Sequence, residues 1–126
     1  MLQTGSLQTV SGEQLTVVAH GTPTTIAGMP AKQAAQILRA AGPKPSTVEL
    51  LACDTGHGRA AQQVANVMGK TVRAPLGKVN CLARGRQGIP LVRDNTTGLL
   101  LPEGSGWVEV EPMSPGRALV FDLFGF

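Results

Sequence analysis

Tyrosine is missing from this chain, and its aromatic residues amount to Trp107, Phe121, Phe124 and Phe126. A core with so few rings must be filled by Val, Leu and Ala, which suits strands layered against Ala-faced helices. The same shortage removes any stacking platform for bases. Basic residues exceed acidic ones by only three, 11 against 8, and the tightest basic cluster is Arg84 with Arg86 in a Gly-rich stretch. No nucleic-acid partner is expected from such a surface.

Long apolar runs are missing as well. No segment approaches the ~18 to 20 residues needed to span a bilayer, so no membrane partner is expected. The opening MLQTGSLQTVSGEQ has neither the charged start nor the apolar stretch of a secretory signal, and it reads as the edge of a piece excised from a larger protein. Cysteine is scarce: Cys53 and Cys81 are too few for a disulfide framework and fit a reducing environment. There is no CxxC or HxxxH to hold structural zinc, and no H-x-E ahead of paired cysteines as in zinc deaminases. GxGxxG and the phosphate-binding GxxxxGK(S/T) are missing too. No metal and no cofactor are expected. Thiol chemistry, or no chemistry, is what these absences leave.

What is present lies mostly in two short runs. Leu15 to Gly21 (LTVVAHG) and Thr47 to Gly56 (TVELLACDTG) are apolar, β-branched stretches that end in His20 and Cys53. Runs of this kind bounded by Gly read as buried parallel strands. Between them, Pro30 opens a helix over 31–41, with Ala34, Ile37, Leu38 and Ala41 forming its apolar stripe and Gly42-Pro43 its stop. A second helix is predicted over 59–68, burying Ala61, Val64, Ala65 and Met68 and ending at Gly69. A third strand follows over 71–74. Strand, helix, strand, helix, strand with short connections implies an α/β domain with a mostly parallel sheet and right-handed crossovers. Successive strands are usually neighbours, so His20 and Cys53 are expected side by side.

From Leu76 onward glycines break the chain, and VNCLAR, IPLVRD, GLLLPE and GWVEVEP read as brief strands joined by turns, one of them at 94–98. Val108 and Val110 alternate with Glu109 and Glu111, which predicts one wet face. This makes a Gly-rich β-hairpin part at the C-terminal end. All 126 residues are read as a single domain.

Chemistry gathers beyond the carboxyl ends of strands in open α/β sheets. A thiol there can act as nucleophile and an imidazole as its base. The start of the second helix would favour a thiolate at Cys53, although a lone cysteine also serves as a small buried apolar group. Backbone N–H groups of Gly21 and Cys53 are placed to hold an oxyanion. His57 is a rival base, or simply a polar residue near the second helix. Asp54 would orient an imidazole, meet a basic substrate group, or act as an acidic residue near a helix start.

Val17-Val18-Ala19-His20-Gly21 and Leu50-Leu51-Ala52-Cys53 together resemble the marks of the caspase-fold cysteine peptidases of clan CD, which include caspases, gingipains, clostripain, separase and the self-processing domains of large bacterial toxins. Gly28-Met29-Pro30 and the segment from Ala61 to Pro75 are most similar to domains at the C-terminal ends of bacterial polymorphic toxins and effectors. The resemblance covers Leu15 to Pro75. It implies a three-layer caspase-like fold, a catalytic dyad of His20 and Cys53, and an oxyanion hole at Gly21 and Cys53; Asp54 and His57, from their place beside Cys53, are the candidate substrate-binding residues. It implies a hydrolase acting on a protein or peptide, secreted or delivered as part of a larger protein, working in a reducing cytoplasm, and countered by a cognate immunity protein. A catalytically inactive binding module and a thiol-dependent acyltransferase or deamidase are the alternatives. Leu51 precedes Ala52 where caspases carry Gln, and the first glycine after the cysteine is Gly56, so caspase-like aspartate specificity is not implied.

Overall fold

The computed structural model describes residues 7–10, 14–41 and 45–125, without the side chains of 7, 8, 10 and 80–82. The expected helix stop at Gly42-Pro43 and the side chain of Cys81 therefore lie outside the described part. In chain order the elements are β1 (Leu7–Val10), β2 (Gln14–Ala19), β3 (Thr25–Ile26), β4 (Met29–Pro30), α1 (Ala31–Ala40), β5 (Thr47–Leu51), α2 (Ala60–Met68), β6 (Thr71–Pro75), β7 (Lys78–Arg84), β8 (Pro90–Arg93), β9 (Trp107–Val110) and α3 (Pro115–Phe124).

The main sheet has the order β1-β2-β5-β6-β9. Its three central strands are parallel, with Val17 opposite Leu50 and Val48 opposite Val72. Antiparallel edges close it on both sides. Strands that lie side by side in chain order, joined by crossovers of one hand, put their helices on one face. The core is built that way. Leu15, Val17, Val48, Leu50, Val72 and Ala74 are fully buried beneath Ala34, Ala35, Ala61 and Val64 of α1 and α2. Each buried Val or Leu contributes about 1.5–3 kcal/mol, and the alanines let both helices approach the strands closely. On the opposite face Arg73 pairs with Glu49 at 3.2 Å and lies 4.4 Å over the ring of Trp107.

Several expectations shift by a small angle or a few residues. The buried stripe of α1 is Ala31, Ala34, Ala35 and Leu38, while Ile37 is 48% exposed and Ala41 lies beyond the helix. The helix takes its phase from packing alongside α2 and against β3 and β4, which leaves Ile37 on the rim. On α2 the stripe is as expected except that Met68 is only partly buried, and Gly69 ends it at φ +67°, its N–H reaching the Ala65 carbonyl at 2.8 Å.

The N-terminal lead contains β1, which pairs antiparallel with β2 and gives that strand its outer neighbour. α3 was not legible as a helix. Its start is locally encoded, because Ser114 Oγ accepts from the Arg117 N–H at 3.4 Å and Pro115 occupies the first turn. Its periodicity is weak, with Leu119 and Leu123 exposed and Phe121 buried. Arg59 fixes it, donating to the carbonyls of Phe121 and Asp122 at 3.0 Å.

Of the four short strands expected after Leu76, β7 and β8 form a separate antiparallel hairpin. β9 instead joins the main sheet, with Glu109 exposed and Val108 and Val110 packed on the core. GLLLPE supplies only a bridge between Leu100 and Arg93. The turn at 94–98 forms as read, Asp94 Oδ1 accepting from the amides of Thr96 and Thr97 at 2.7 and 2.9 Å. Among the described residues no helix is long and apolar enough to cross a membrane.

Candidate functional site

β2 and β5 run in parallel with Val18 opposite Leu51. Two residues further along each chain stand His20 and Cys53, so the register carries both to one edge of the sheet. His20 is exposed and Cys53 half-buried. The His20 carbonyl accepts the Ala27 amide at 2.7 Å, which pins the backbone as it leaves the strand. Gly21 then passes so close to the neighbouring strand that a Cβ there would stand 2.6 Å from the Cys53 carbonyl oxygen and 2.8 Å from the Ala52 Cβ. Only a residue without a side chain fits. The two segments singled out from sequence are thus brought into backbone contact.

The turn after β5 is held from within. Thr55, fully buried, donates its hydroxyl to the Ala52 carbonyl at 2.8 Å, and the Gly56 amide reaches the Pro75 carbonyl at 2.9 Å. Cys53 and the start of α2 are therefore separated by a closed turn, since that helix begins only at Ala60. The amide that donates to the thiol belongs elsewhere. Val79 N–H approaches Cys53 Sγ at 3.3 Å, and Sγ donates in turn to the Val79 carbonyl at 3.5 Å.

Asp54 faces inward. It is 5% exposed and has the left-handed φ of +62°. One carboxylate oxygen is paired with Lys78 Nζ, the other accepts from Asn95 Nδ2 at 2.7 Å, and its amide reaches the Gly77 carbonyl at 3.0 Å. Burial by itself would push this carboxyl up. The hydrogen bonds from Lys78 and Asn95, with the charges of Lys78 and His57, outweigh burial and hold it below the usual carboxylate range. Lys78 is raised, mainly by its hydrogen bond to Asp54, with burial opposing and the charges of Asp54 and Cys53 assisting. The basic group that Asp54 meets thus comes from this chain itself.

His57 is exposed and donates its amide to the Asp54 carbonyl at 3.1 Å. It lines a depression of about 240 Å³ together with Leu76, Arg93, Asn95 and Thr96. Sequence reasoning did not reach Lys78, Val79 or Asn95. They stand 24 to 41 residues from their partners Cys53 and Asp54, and no local pattern marks them. Among the described residues no three His, Cys, Asp or Glu side chains are grouped to hold a metal.

None of the curated proteins matches this chain. A family model described as "Domain of unknown function (DUF8616)" matches residues 3–89, a span that contains His20, Cys53, Asp54, Lys78 and Val79, and the chain belongs to that family.

Proposed function

We propose that this protein is a cysteine endopeptidase using His20 and Cys53. One observation carries the reading: the parallel register of β2 and β5, with Gly21 against the Cys53 carbonyl, sets an exposed imidazole-bearing residue and a half-buried thiol at one strand-end edge. His20 takes the proton of the Cys53 thiol as the sulfur attacks the scissile carbonyl carbon, and the N–H groups of Gly21 and Cys53 receive the oxyanion. The C–N bond then breaks as His20 gives a proton to the departing amine, leaving a thioester. Water attacks the thioester, His20 takes the water proton, and the carboxylic acid leaves as His20 returns that proton to the sulfur.

The fuller form of this proposal is a caspase-like fold in a bacterial toxin, effector or self-processing domain. Such a domain would be secreted or delivered within a larger protein and act in a reducing cytoplasm on a protein substrate, with an immunity protein as its counterpart. Strand order and the positions of His20 and Cys53 support it. A three-layer arrangement would add helices on the face that carries the Glu49–Arg73 pair.

The experiment is cleavage mapping by mass spectrometry of new N-termini in a bacterial protein mixture, comparing the wild type with Cys53→Ala. New termini are expected with the wild type alone. Equal cleavage by the variant refutes the mechanism.

One observation favours a second reading, a binding module without catalysis: both hydrogen-bonding capacities of the thiol are engaged by Val79. On that reading Cys53→Ser keeps both bonds, stability is unchanged, and no substrate bond is broken by either form. A mass shift of the substrate without chain cleavage would instead mark acyl transfer or deamidation.

A further inference from the structure

β7 and β8 form a sheet of their own, with no ladder to the main sheet. Their pairing is irregular beyond Val79, where the register shifts before Arg84. The hairpin nevertheless meets the nucleophile turn at one spot. Gly77 accepts the Asp54 amide, Lys78 pairs with the Asp54 carboxylate, and Val79 brackets the Cys53 sulfur with its N–H and its carbonyl. Asn95, in the turn just after β8, holds the second Asp54 oxygen.

We propose that β7 is a latch over Cys53, kept shut by the clamp of Asp54, Lys78 and Asn95. A sulfur that donates to the carbonyl of one residue and accepts from the N–H of the same residue is turned onto the strand, away from an incoming carbonyl. Thiol hydrogen bonds are weak in both directions, so they cannot hold a hairpin by themselves. The charge-assisted bonds to Asp54 can. Lys78 and Asn95 are positioning residues. They act on the sulfur through Asp54 and Val79.

The latch rests on the reading of Cys53 as a nucleophile, but its test does not need a substrate. Iodoacetamide is applied to the folded full chain, and alkylation of Cys53 is followed by peptide mass spectrometry, separately from Cys81. Lys78→Met and Asn95→Ala should each speed Cys53 alkylation about tenfold or more, the effect of losing a hydrogen bond to a charged group. Lys78→Arg should restore the slow rate. Lys32→Met, which breaks the exposed pair with Asp122, should leave it unchanged. If Lys78→Met does not fold, Asn95→Ala decides. Alkylation by Asn95→Ala no faster than wild type overturns the latch. Faster alkylation of a variant that still cleaves nothing would sink the peptidase and leave the latch standing.

Discussion

Gly21 and Cys53 meet through their backbones: a Cβ on the first would stand 2.6 Å from the carbonyl oxygen of the second. Neither the carbonyl nor the adjoining Ala52 backbone, at 2.9 Å, can yield as a flexible side chain would. Gly21→Ala should therefore push β2 and β5 apart at their carboxyl ends. The expected loss is about 1–3 kcal/mol in urea unfolding, as for an overpacked core. It should be accompanied by loss of any activity that depends on the two segments. An unchanged midpoint would show that the strand ends are looser than described.

His20 is exposed and its backbone is fixed through its own carbonyl. His20→Ala should leave the thermal midpoint essentially in place. As the proposed acid–base group, its loss should lower cleavage by about 100- to 10,000-fold. A variant that cleaves at the wild-type rate would transfer the role to another group, with His57 the next to test.

Asp54 links the site to pH. Its folded value lies below the ordinary 3.8 because of Lys78, Asn95 and the charge of His57, against the opposing effect of burial. The unfolded chain thus binds this proton more readily than the folded one. The stabilisation is complete above the unfolded value and is lost as pH falls through the folded value. Between about pH 5 and pH 3 the urea midpoint of the wild type should fall further than that of Asp54→Asn. Asn is the chosen replacement because it tolerates the left-handed backbone found here. Parallel curves for the two proteins would remove Asp54 from the acid response.

Neighbouring positions on α1 test the corrected helix phase. Leu38 is 3% exposed and Ile37 is 48% exposed. Leu38→Ala should cost about 2–5 kcal/mol, and Ile37→Ala about 0.5 kcal/mol or less. Calorimetric midpoints of the two variants give the comparison directly. Equal losses would mean that the stripe read from sequence was nearer the truth.

That error is instructive about what a sequence can convey. An i, i+3, i+4, i+7 pattern fixes which residues share a helix face, but several overlapping faces of a short Ala-rich helix satisfy it. Its hydrophobicity predicts Ile37 inward, whereas the packing of Ala31, Ala34, Ala35 and Leu38 into the core decides which face goes down. α3 failed for the opposite reason. Ser114-Pro115 is a clear start signal, yet with Leu119 and Leu123 facing solvent no apolar periodicity follows it.

Local patterns alone did determine the three parallel strands, α1 and α2, the stop at Gly69, and the placing of His20 and Cys53 at neighbouring strand ends. Each follows from steric rules and burial periods that act over a few residues. Tertiary structure alone decided that β9 closes the main sheet, that α3 docks on Arg59, and that Asp54 turns inward to Lys78 and Asn95. It also decided that the Val79 backbone is set against the thiol. Those contacts join groups 24 to 63 residues apart around the site and α3, and their partners are chosen by shape and charge once the sheet has assembled, which no short-range pattern encodes.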